Sequence, residues 1–311
     1  MIKINEISKQ FGNFTALDKL SLHVKKGEFY SLLGPNGAGK TTCINIISNI
    51  TKPSSGAVEI DGLNSSINSK EIKKKIGVVP QEIALYNDLS AIENLNFWGR
   101  INGVLSSVLK GRVEEALRFL DLYDQRNQRI SSYSGGMKRR INIAAALLHQ
   151  PEVLFMDEPT VGIDPQSRLF TYEIFEKLHQ QGKTIFYTSH NMEEVERLSD
   201  RIGIIDHGKL IAEGRLDSLK NQLSMEETLL ISLEEKSNIT SDFLAKTLPD
   251  MIDSVKIQNN QLYISTRNAT KDLVRILQLL DKNNFEVKSA EVKKVNLEMI
   301  FLELTGKKLR E

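Results

Sequence analysis

The chain has 311 residues with 41 basic and 40 acidic side chains, which leaves a formal net charge of +1. This length suits one large domain or two unequal ones, and 40% hydrophobic with 26% charged residues exclude wholesale disorder. The balanced charge excludes a bulk attraction to nucleic acid or anionic lipid, and the sequence shows no apolar run of the roughly 18 residues that span a bilayer. The alternating start is not a signal peptide, and the single cysteine, Cys43, fits a reducing cytosol.

In chain order, apolar alternation predicts strands over 2–7 and 20–24, and an apolar run predicts a short strand over 29–33. A glycine-rich loop and a helix over 40–49 follow, and this order is the beginning of a parallel α/β unit. The elements predicted next are strands over 57–60, 76–80, 153–156 and 184–188, helices over 89–101, 108–121, 136–149, 165–181, 191–198 and 215–222, and a hairpin of 202–205 with 209–213.

The pattern changes after about residue 222. The elements predicted there are strands over 229–233, 254–258, 261–265 and 285–292, and helices over 241–247, 270–282 and 296–305. The order βαββαβ plus a last helix is typical of a small α+β domain of ferredoxin-like type. We therefore expect one domain over 1–222 and a C-terminal accessory domain over 223–311.

A complete phosphate-binding loop lies between the third predicted strand and the first predicted helix. Residues 34–41 match the pattern G-x-x-x-x-G-K-[ST], in which backbone N–H groups close around phosphate oxygens. Lys40 is expected to reach the β- and γ-phosphates of ATP, and Thr41 to supply a hydroxyl to Mg²⁺. The predicted nucleotide-binding residues of this segment are Gly34, Pro35, Asn36, Gly37, Ala38, Gly39, Lys40, Thr41 and Thr42.

Two acids follow the apolar strand predicted over 153–156. Behind a complete phosphate-binding loop, Asp157 is expected to hold Mg²⁺, directly or through water. Glu158 is then placed to orient or deprotonate the attacking water. The alternative for Glu158 is a solvated surface acid.

The motifs between and after these segments resemble those of ABC ATPases. Residues 133–140, Tyr-Ser-Gly-Gly-Met-Lys-Arg-Arg, resemble the family's signature sequence, usually written Leu-Ser-Gly-Gly-Gln. In the expected order, Gln81 resembles the Q-loop glutamine, residues 162–165 the D-loop, His190 the switch histidine, and Phe11 the aromatic residue that stacks on adenine. The resemblance covers about 1–220. It implies a P-loop NTPase fold with a helical subdomain and an antiparallel β subdomain.

The same resemblance implies a head-to-tail pair of ATPase domains that share two ATP molecules. His190 would contact the γ-phosphate, and Gln81 would contact Mg²⁺ or water and report to a membrane partner. Asp164 would support the dimer contact between the two sites. The signature residues implied to touch the γ-phosphate bound by the partner chain are Ser134, Gly135 and Gly136.

Residues 296–306 resemble the C-terminal end of ATPase subunits of ABC-2 type exporters of drugs, antibiotics and sodium. That likeness implies an ATP-hydrolysing homodimer that powers export of a drug, antibiotic, lipid-like compound or ion through a separate transmembrane permease. It would lie at the cytoplasmic face of a bacterial-type membrane, without inserting into lipid or binding nucleic acid. The basic triplet 138–140 is accordingly predicted to be a helix face with its salt bridges.

Rival classes of ABC protein differ in features that the sequence displays. A translation-associated protein usually carries two ATPase domains in one chain, and a chromosome-associated one carries a long coiled coil, whereas residues 42–132 contain no sustained heptads. A module that binds ATP without hydrolysis would lack the acid at Glu158. The alternatives kept open are the ATPase subunit of an ABC importer, whose tail tends to resemble a small β-barrel, and a non-transport ABC ATPase acting on a macromolecular complex.

Overall fold

The computed structural model describes residues 1–223, 227–234, 239, 254–258, 261–266, 269–293 and 295–306. Two compact units are present, one over Met1–Leu216 together with the chain from Leu304 onward, and one over Asp217–Glu303. The division falls at the start of a short helix, Leu216–Gln222, and the boundary predicted between 222 and 223 falls at its end.

The first unit is built on two sheets. A six-stranded sheet has the order β10-β9-β3-β8-β7-β6, and a four-stranded antiparallel sheet has the order β2-β1-β4-β5. The strands are β1 Ile2–Phe11, β2 Phe14–Val24, β3 Phe29–Leu33, β4 Ser55–Ile60, β5 Leu63–Asn64, β6 Ile76–Val79, β7 Val153–Asp157, β8 Thr184–Ser189, β9 Arg201–Asp206 and β10 Lys209–Gly214. Within the larger sheet, β6, β7, β8, β3 and β9 are parallel, and only β10 runs antiparallel.

The helices of this unit lie, with one exception, at the places that the apolar periodicity predicts. Their bounds are α1 Lys40–Ile47, α2 Ser69–Lys75, α3 Ala91–Ile101, α4 Ser106–Phe119, α5 Gly135–Leu147, α6 Pro165–Gln180 and α7 Met192–Leu198, with a 3₁₀ turn at Ile130–Ser132. Helix α8, Leu216–Gln222, begins at the division between the two units. Within the described part of the chain, no helix combines the length and the apolar character needed to cross a membrane.

The parallel strands are buried on both faces, as continuous apolar runs predict. Along β7, Leu154 and Met156 join a core with α3 to α6, whereas Phe155 joins a second core with α1, β1 and β2. On β8, Tyr187 and Phe186 divide between the same two cores. The alternation of a strand therefore packs the helical side and the antiparallel sheet onto opposite faces of one central sheet.

Helix α2 was not predicted. Its sequence holds a single apolar residue, Ile72, which is fully buried, so it displays no helical periodicity. Its last residue, Lys75, forms ion pairs with Asp61 and Glu152, the latter at 3.4 Å. Charge pairing and one buried side chain thus hold a helix that the apolar pattern does not reveal.

The second unit holds a four-stranded antiparallel sheet of order β12-β13-β11-β14. Apolar residues of β11 and β13 pack with Ile276 and Leu280 of helix α9. The predicted helix over 241–247 lies outside the described residues, so the complete ferredoxin-like arrangement stays a prediction. The elements are β11 Glu227–Leu233, β12 Ser254–Gln258, β13 Gln261–Thr266, α9 Ala269–Lys282, β14 Val287–Lys293 and α10 Leu297–Thr305, the last of which begins in this unit.

Candidate nucleotide-binding site

The phosphate-binding loop connects β3 to α1 and packs directly on β2. Gly39 has a φ of +106°, and a Cβ at this position would lie 2.6 Å from the carbonyl oxygen of Ala16. Only glycine tolerates both the left-handed backbone and this close approach. Strand β2 therefore fixes the path of the loop.

Lys40, the first residue of α1, is buried with its ammonium group held on three sides. Its Nζ donates to the carbonyl oxygens of Gly34 at 2.8 Å and Pro35 at 3.1 Å. The same atom lies 3.0 Å from Oε1 of Glu158. The cation that the motif directs at phosphates is thus fixed above the loop beside a carboxylate.

The two acids after the apolar run of β7 are both buried, and Thr188 of β8 orients them. Its hydroxyl donates to Oδ1 of Asp157 at 2.6 Å. Its carbonyl oxygen accepts the backbone N–H of Glu158 at 3.1 Å. Glu158 has a φ of +43°, an uncommon conformation outside glycine, and such strain concentrates at functional sites. Because Glu158 is buried, the alternative that it is a solvated surface acid is wrong.

Three residues that are distant in sequence, Lys40, Gln81 and His190, meet at Glu158. Its Oε1 faces Lys40, while its Oε2 lies 3.5 Å from Nε2 of Gln81 and 3.2 Å from Nδ1 of His190. A carboxylate held between a cation, an amide and an imidazole can orient a water molecule and accept its proton. The surrounding donors can stabilise charge on a transferring phosphoryl group.

The topology explains this convergence. Strands β3, β8, β7 and β6 are parallel neighbours, so their carboxyl ends share one edge of the sheet, where ligands of open α/β sheets bind. Lys40 lies beyond the end of β3, Gln81 beyond β6, Glu158 beyond β7 and His190 beyond β8. Residues of motifs that are far apart along the chain therefore lie close together at this edge of the sheet.

A cavity opens at the same edge. Its lining includes eight predicted residues and two that were not predicted, Phe14 and Ala16. The predicted lining residues are Asn36, Gly37, Gly39, Lys40, Thr41, Thr42, Gln81 and Glu158. Of the other loop residues, Gly34 and Pro35 support Lys40 through their carbonyl oxygens, and Ala38 packs in the core.

Phe14 lies on the cavity wall, whereas Phe11 is not among its lining residues. The two rings are cross-strand partners of the β1–β2 hairpin, and both are exposed. Nζ of Lys9 lies 5.0 Å from the centre of the Phe11 ring. Two aromatic residues flanking a two-residue turn must share one face of a hairpin, and this signal could have identified Phe14. Adenine stacking by Phe11 stays a prediction.

The oxygen atoms at this edge suit Mg²⁺, which prefers hard oxygen ligands. They are the hydroxyl of Thr41, the side-chain oxygen of Gln81 and the carboxylate of Asp157. Thr41 and Gln81 line the cavity, and Asp157 precedes Glu158 in a fixed orientation. Bound Mg²⁺ neutralises charge on the phosphates, and the residues present fit that ion.

The signature residues lie at the start of α5, where they form a second cluster with the D-loop. Ser134 caps α5 by accepting the N–H of Met137 at 3.2 Å. Asp164 caps α6 by accepting the N–H of Ser167 at 2.9 Å, and the hydrogen bonds from Ser167 lower the pKa of this carboxyl. A Cβ at Gly136 would lie 2.1 Å from Oγ of Ser167. Glycine there lets the two helix starts meet.

The two clusters are separate sets of residues. The lining of the P-loop cavity does not include Ser134, Gly135, Gly136 or Asp164. Ser134 and Gly135 are exposed. The structure therefore brings Lys40, Gln81, Glu158 and His190 together and places the signature residues elsewhere on the unit.

Comparison with known proteins agrees with this geometry. A family model described as ABC transporter matches residues 17–161. The chain is 42% identical to the linearmycin resistance ATP-binding protein LnrL of Bacillus subtilis (strain 168), over 100% of both chains. This chain belongs to the ABC transporter ATP-binding proteins. It is also 34% identical to the Nod factor export ATP-binding protein I of Cupriavidus pinatubonensis (100% of this chain, 92% of the relative). It is 32% identical to a daunorubicin resistance ATP-binding protein of Streptomyces coeruleorubidus (98% of this chain, 96% of the relative).

Solved structures of ATP-binding cassettes share the fold. A dimeric cassette in a post-hydrolysis state bound to ADP and Pi matches with a TM-score of 0.64 and 29% identity, covering 70% of this chain and 99% of that chain. A nucleotide-free cassette matches with a TM-score of 0.63 and 30% identity, covering 72% and 95%. The predicted ABC ATPase fold is confirmed. The protein is an ATPase that uses ATP and Mg²⁺, as the motifs predicted.

Proposed function

We propose that this ABC ATPase powers export of a small molecule, such as a drug, an antibiotic or a lipid-like compound, through a separate transmembrane permease. The observation that carries the proposal is similarity over 98–100% of the chain to proteins named for linearmycin resistance, daunorubicin resistance and Nod factor export. That similarity extends beyond the ATPase motifs to the second unit. We further propose that the first domain ends near residue 222 and that the second has a ferredoxin-like arrangement.

Within the site, each side chain receives a role from its contacts. Lys40 binds the β- and γ-phosphates, and Thr41, Gln81 and Asp157 hold Mg²⁺. Glu158 orients or deprotonates the attacking water, because its Oε2 faces His190 and Gln81 rather than Lys40. His190 contacts the γ-phosphate from the exposed side of this group. The chemistry is positioning and electrostatic stabilisation rather than covalent catalysis.

The signature residues need a second chain in this account. Ser134, Gly135 and Gly136 offer a helix N-terminus, which attracts an anion, but they are not part of their own chain's P-loop lining. We propose a homodimer in which each ATP lies between one P-loop and the partner's signature, with Asp164 supporting the contact. The similar cassette with ADP and Pi is itself dimeric, which supports the pairing of two chains.

The permease would hold the dimer at the cytoplasmic face of the membrane. The experiment that tests export uses the tagged chain, purified from membranes of its host with whatever membrane protein accompanies it. This complex is reconstituted in vesicles with the ATPase facing outward, and ATP is added outside. Export predicts ATP-dependent accumulation of a fluorescent amphiphilic drug inside these vesicles, and none with the Glu158→Gln variant.

The importer alternative predicts the opposite direction. In the same vesicles, a preloaded compound would leave on addition of ATP. That result, or purification without any membrane protein, would contradict the proposed function.

A further inference from the structure

Arg139, the middle residue of the basic triplet after the signature, does not form the salt bridges predicted for that helix face. Arg139 is 3% exposed, and its guanidinium binds backbone rather than an acid. Nη1 donates to the carbonyl oxygen of Pro80 at 2.7 Å, and Nη2 donates to that of Gln81 at 2.6 Å. The prediction of salt bridges is therefore wrong for this residue. Burial lowers the pKa of the guanidinium, so the buried cation is maintained against a desolvation cost.

A second residue of the same helix binds the same loop. Asn142 lies three residues after Arg139 and so shares its helix face. It is also 3% exposed. Its Oδ1 accepts the backbone N–H of Ala84 at 3.3 Å. From α3, Nε1 of Trp98 donates to the carbonyl oxygen of Ala84 at 3.0 Å.

The main chain of residues 80–84 is thus held at four points, of which three belong to buried side chains of α5. All of these bonds go to backbone groups, so they fix the position of the loop without engaging its side chains. The Gln81 side chain stays directed at Glu158, with Nε2 3.5 Å from Oε2. The backbone that carries Gln81 is therefore attached to α5, while its side chain faces Glu158.

We propose that Arg139 and Asn142 clamp the Q-loop to the signature helix, and that Arg139 is a positioning residue for Gln81. Ser134 caps α5 at one end of the first turn, and Arg139 projects from the second turn of the same rigid helix. A ligand contact at the signature is transmitted by α5 to the Q-loop and so to the group around Glu158. This inference rests on the roles proposed above for Gln81 and the signature.

The first test measures hydrogen–deuterium exchange in the full chain. Arg139→Met and Asn142→Ala are expected to speed exchange of the amides over 81–84 by about fivefold or more, since each removes bonds that hold this segment. Arg140→Met is the matched control, because Arg140 is a neighbouring cation of α5 whose Nη1 donates to the Leu120 carbonyl oxygen at 3.1 Å. Its loss should leave the 81–84 amides unchanged.

Conservative variants separate the clamp from general destabilisation. Asn142→Asp keeps an acceptor for the Ala84 amide and should restore slow exchange there. Arg139→Lys keeps the charge, but a single ammonium group cannot match the planar fork by which the guanidinium binds two carbonyl oxygens. It should therefore give an intermediate rate of exchange. Unchanged exchange at 81–84 in Arg139→Met, or equal acceleration in Arg140→Met, would overturn the clamp.

The second test is a double-mutant cycle on ATP turnover. If Arg139 acts through Gln81, Arg139→Met should lower kcat with little change in KM. The double variant with Gln81→Ala should then be no slower than Gln81→Ala alone. Multiplying effects would overturn the positioning role. A Gln81→Ala variant with normal turnover would instead contradict the proposed function of Gln81, and the exchange measurement would still decide the clamp.

Discussion

The P-loop cluster and the signature cluster hold their polar groups in opposite ways. Around the P-loop, the buried Glu158 carboxylate contacts the buried Lys40 ammonium on one side and the partly exposed His190 imidazole on the other. At the signature, an exposed serine and exposed glycine begin a helix, and the neighbouring acid, Asp164, is bound to the N-terminus of another helix.

The comparison indicates which of the two clusters a single chain can complete by itself. In the P-loop cluster, a cation, an amide and an imidazole already surround the Glu158 carboxylate, so one chain assembles the groups proposed to act on ATP. The signature offers a helix N-terminus that attracts an anion. The anion that binds there must come from outside this chain's signature cluster. In the shared-site model it is the phosphate of the ATP bound by the second chain.

The largest expected effect comes from breaking the P-loop cluster at its centre. Glu158→Gln should lower ATP turnover by about 10²–10⁴-fold, the usual contribution of a general base. Nucleotide affinity should be equal or greater, because Lys40 loses a competing carboxylate at 3.0 Å. Phosphate release and equilibrium dialysis with ATP measure the two effects.

Glu152→Gln is the control for that variant. Glu152 is a partly exposed acid that pairs with Lys75 and Lys26, on the other end of β7 from Glu158. The Glu152→Gln variant should hydrolyse ATP at the normal rate. Normal turnover in Glu158→Gln would remove Glu158 from the reaction.

A smaller effect, on ATP affinity, is expected from the aromatic residues at the P-loop cavity. Phe14→Ala should weaken ATP affinity by about tenfold, in the range of a lost base-stacking contact, while Phe14→Tyr keeps the ring and should bind normally. Phe11→Ala should have the smaller effect, because Phe14 lines the cavity and Phe11 does not. Titration with a fluorescent ATP analogue measures both. A larger loss in Phe11→Ala would restore Phe11 as the main adenine contact.

The smallest effect is expected in the signature cluster. Asp164→Ala should lower the melting temperature slightly through loss of the α6 cap, and Asp164→Asn, which keeps an acceptor but not the charge, should lower it less. The pKa of Asp164 is lowered in the folded chain. Its stabilising contribution is therefore present above the ordinary aspartate pKa of about 4 and is lost as the pH falls through the folded value. Thermal melts at neutral and acidic pH check this, and an equal difference at both would contradict it.

Much of the fold follows from the sequence because its strands carry a strong signal. The buried runs of β3, β7 and β8 and the glycine-rich loop after β3 identify a parallel α/β unit with a nucleotide site. Helix α2 was missed because one buried side chain, Ile72, gives no periodicity. The candidate site residues can be proposed from the sequence because each stands in a motif whose order along the chain is read directly.

What the sequence does not reveal is how side chains contact partners outside their own motif. Phe14 was missed because the motif names a single aromatic residue, although hairpin pairing places a second ring beside it. For Arg139 the sequence predicts salt bridges on a helix face, because charged side chains are seldom fully buried without an ionic partner. Its actual partners are backbone carbonyl oxygens about 60 residues away, which no side-chain pattern encodes.

The most direct test of the two-cluster account measures ATP trapped by mixed dimers in a Glu158→Gln background. Lys40→Met disables a P-loop, and Ser134→Arg disables a signature. If sites are shared between chains, placing the two changes on different chains leaves one intact site, and placing both on one chain leaves none. The account predicts about one trapped ATP per dimer in the first case and none in the second. The reverse result, with trapping only when both changes lie on the same chain, would contradict it.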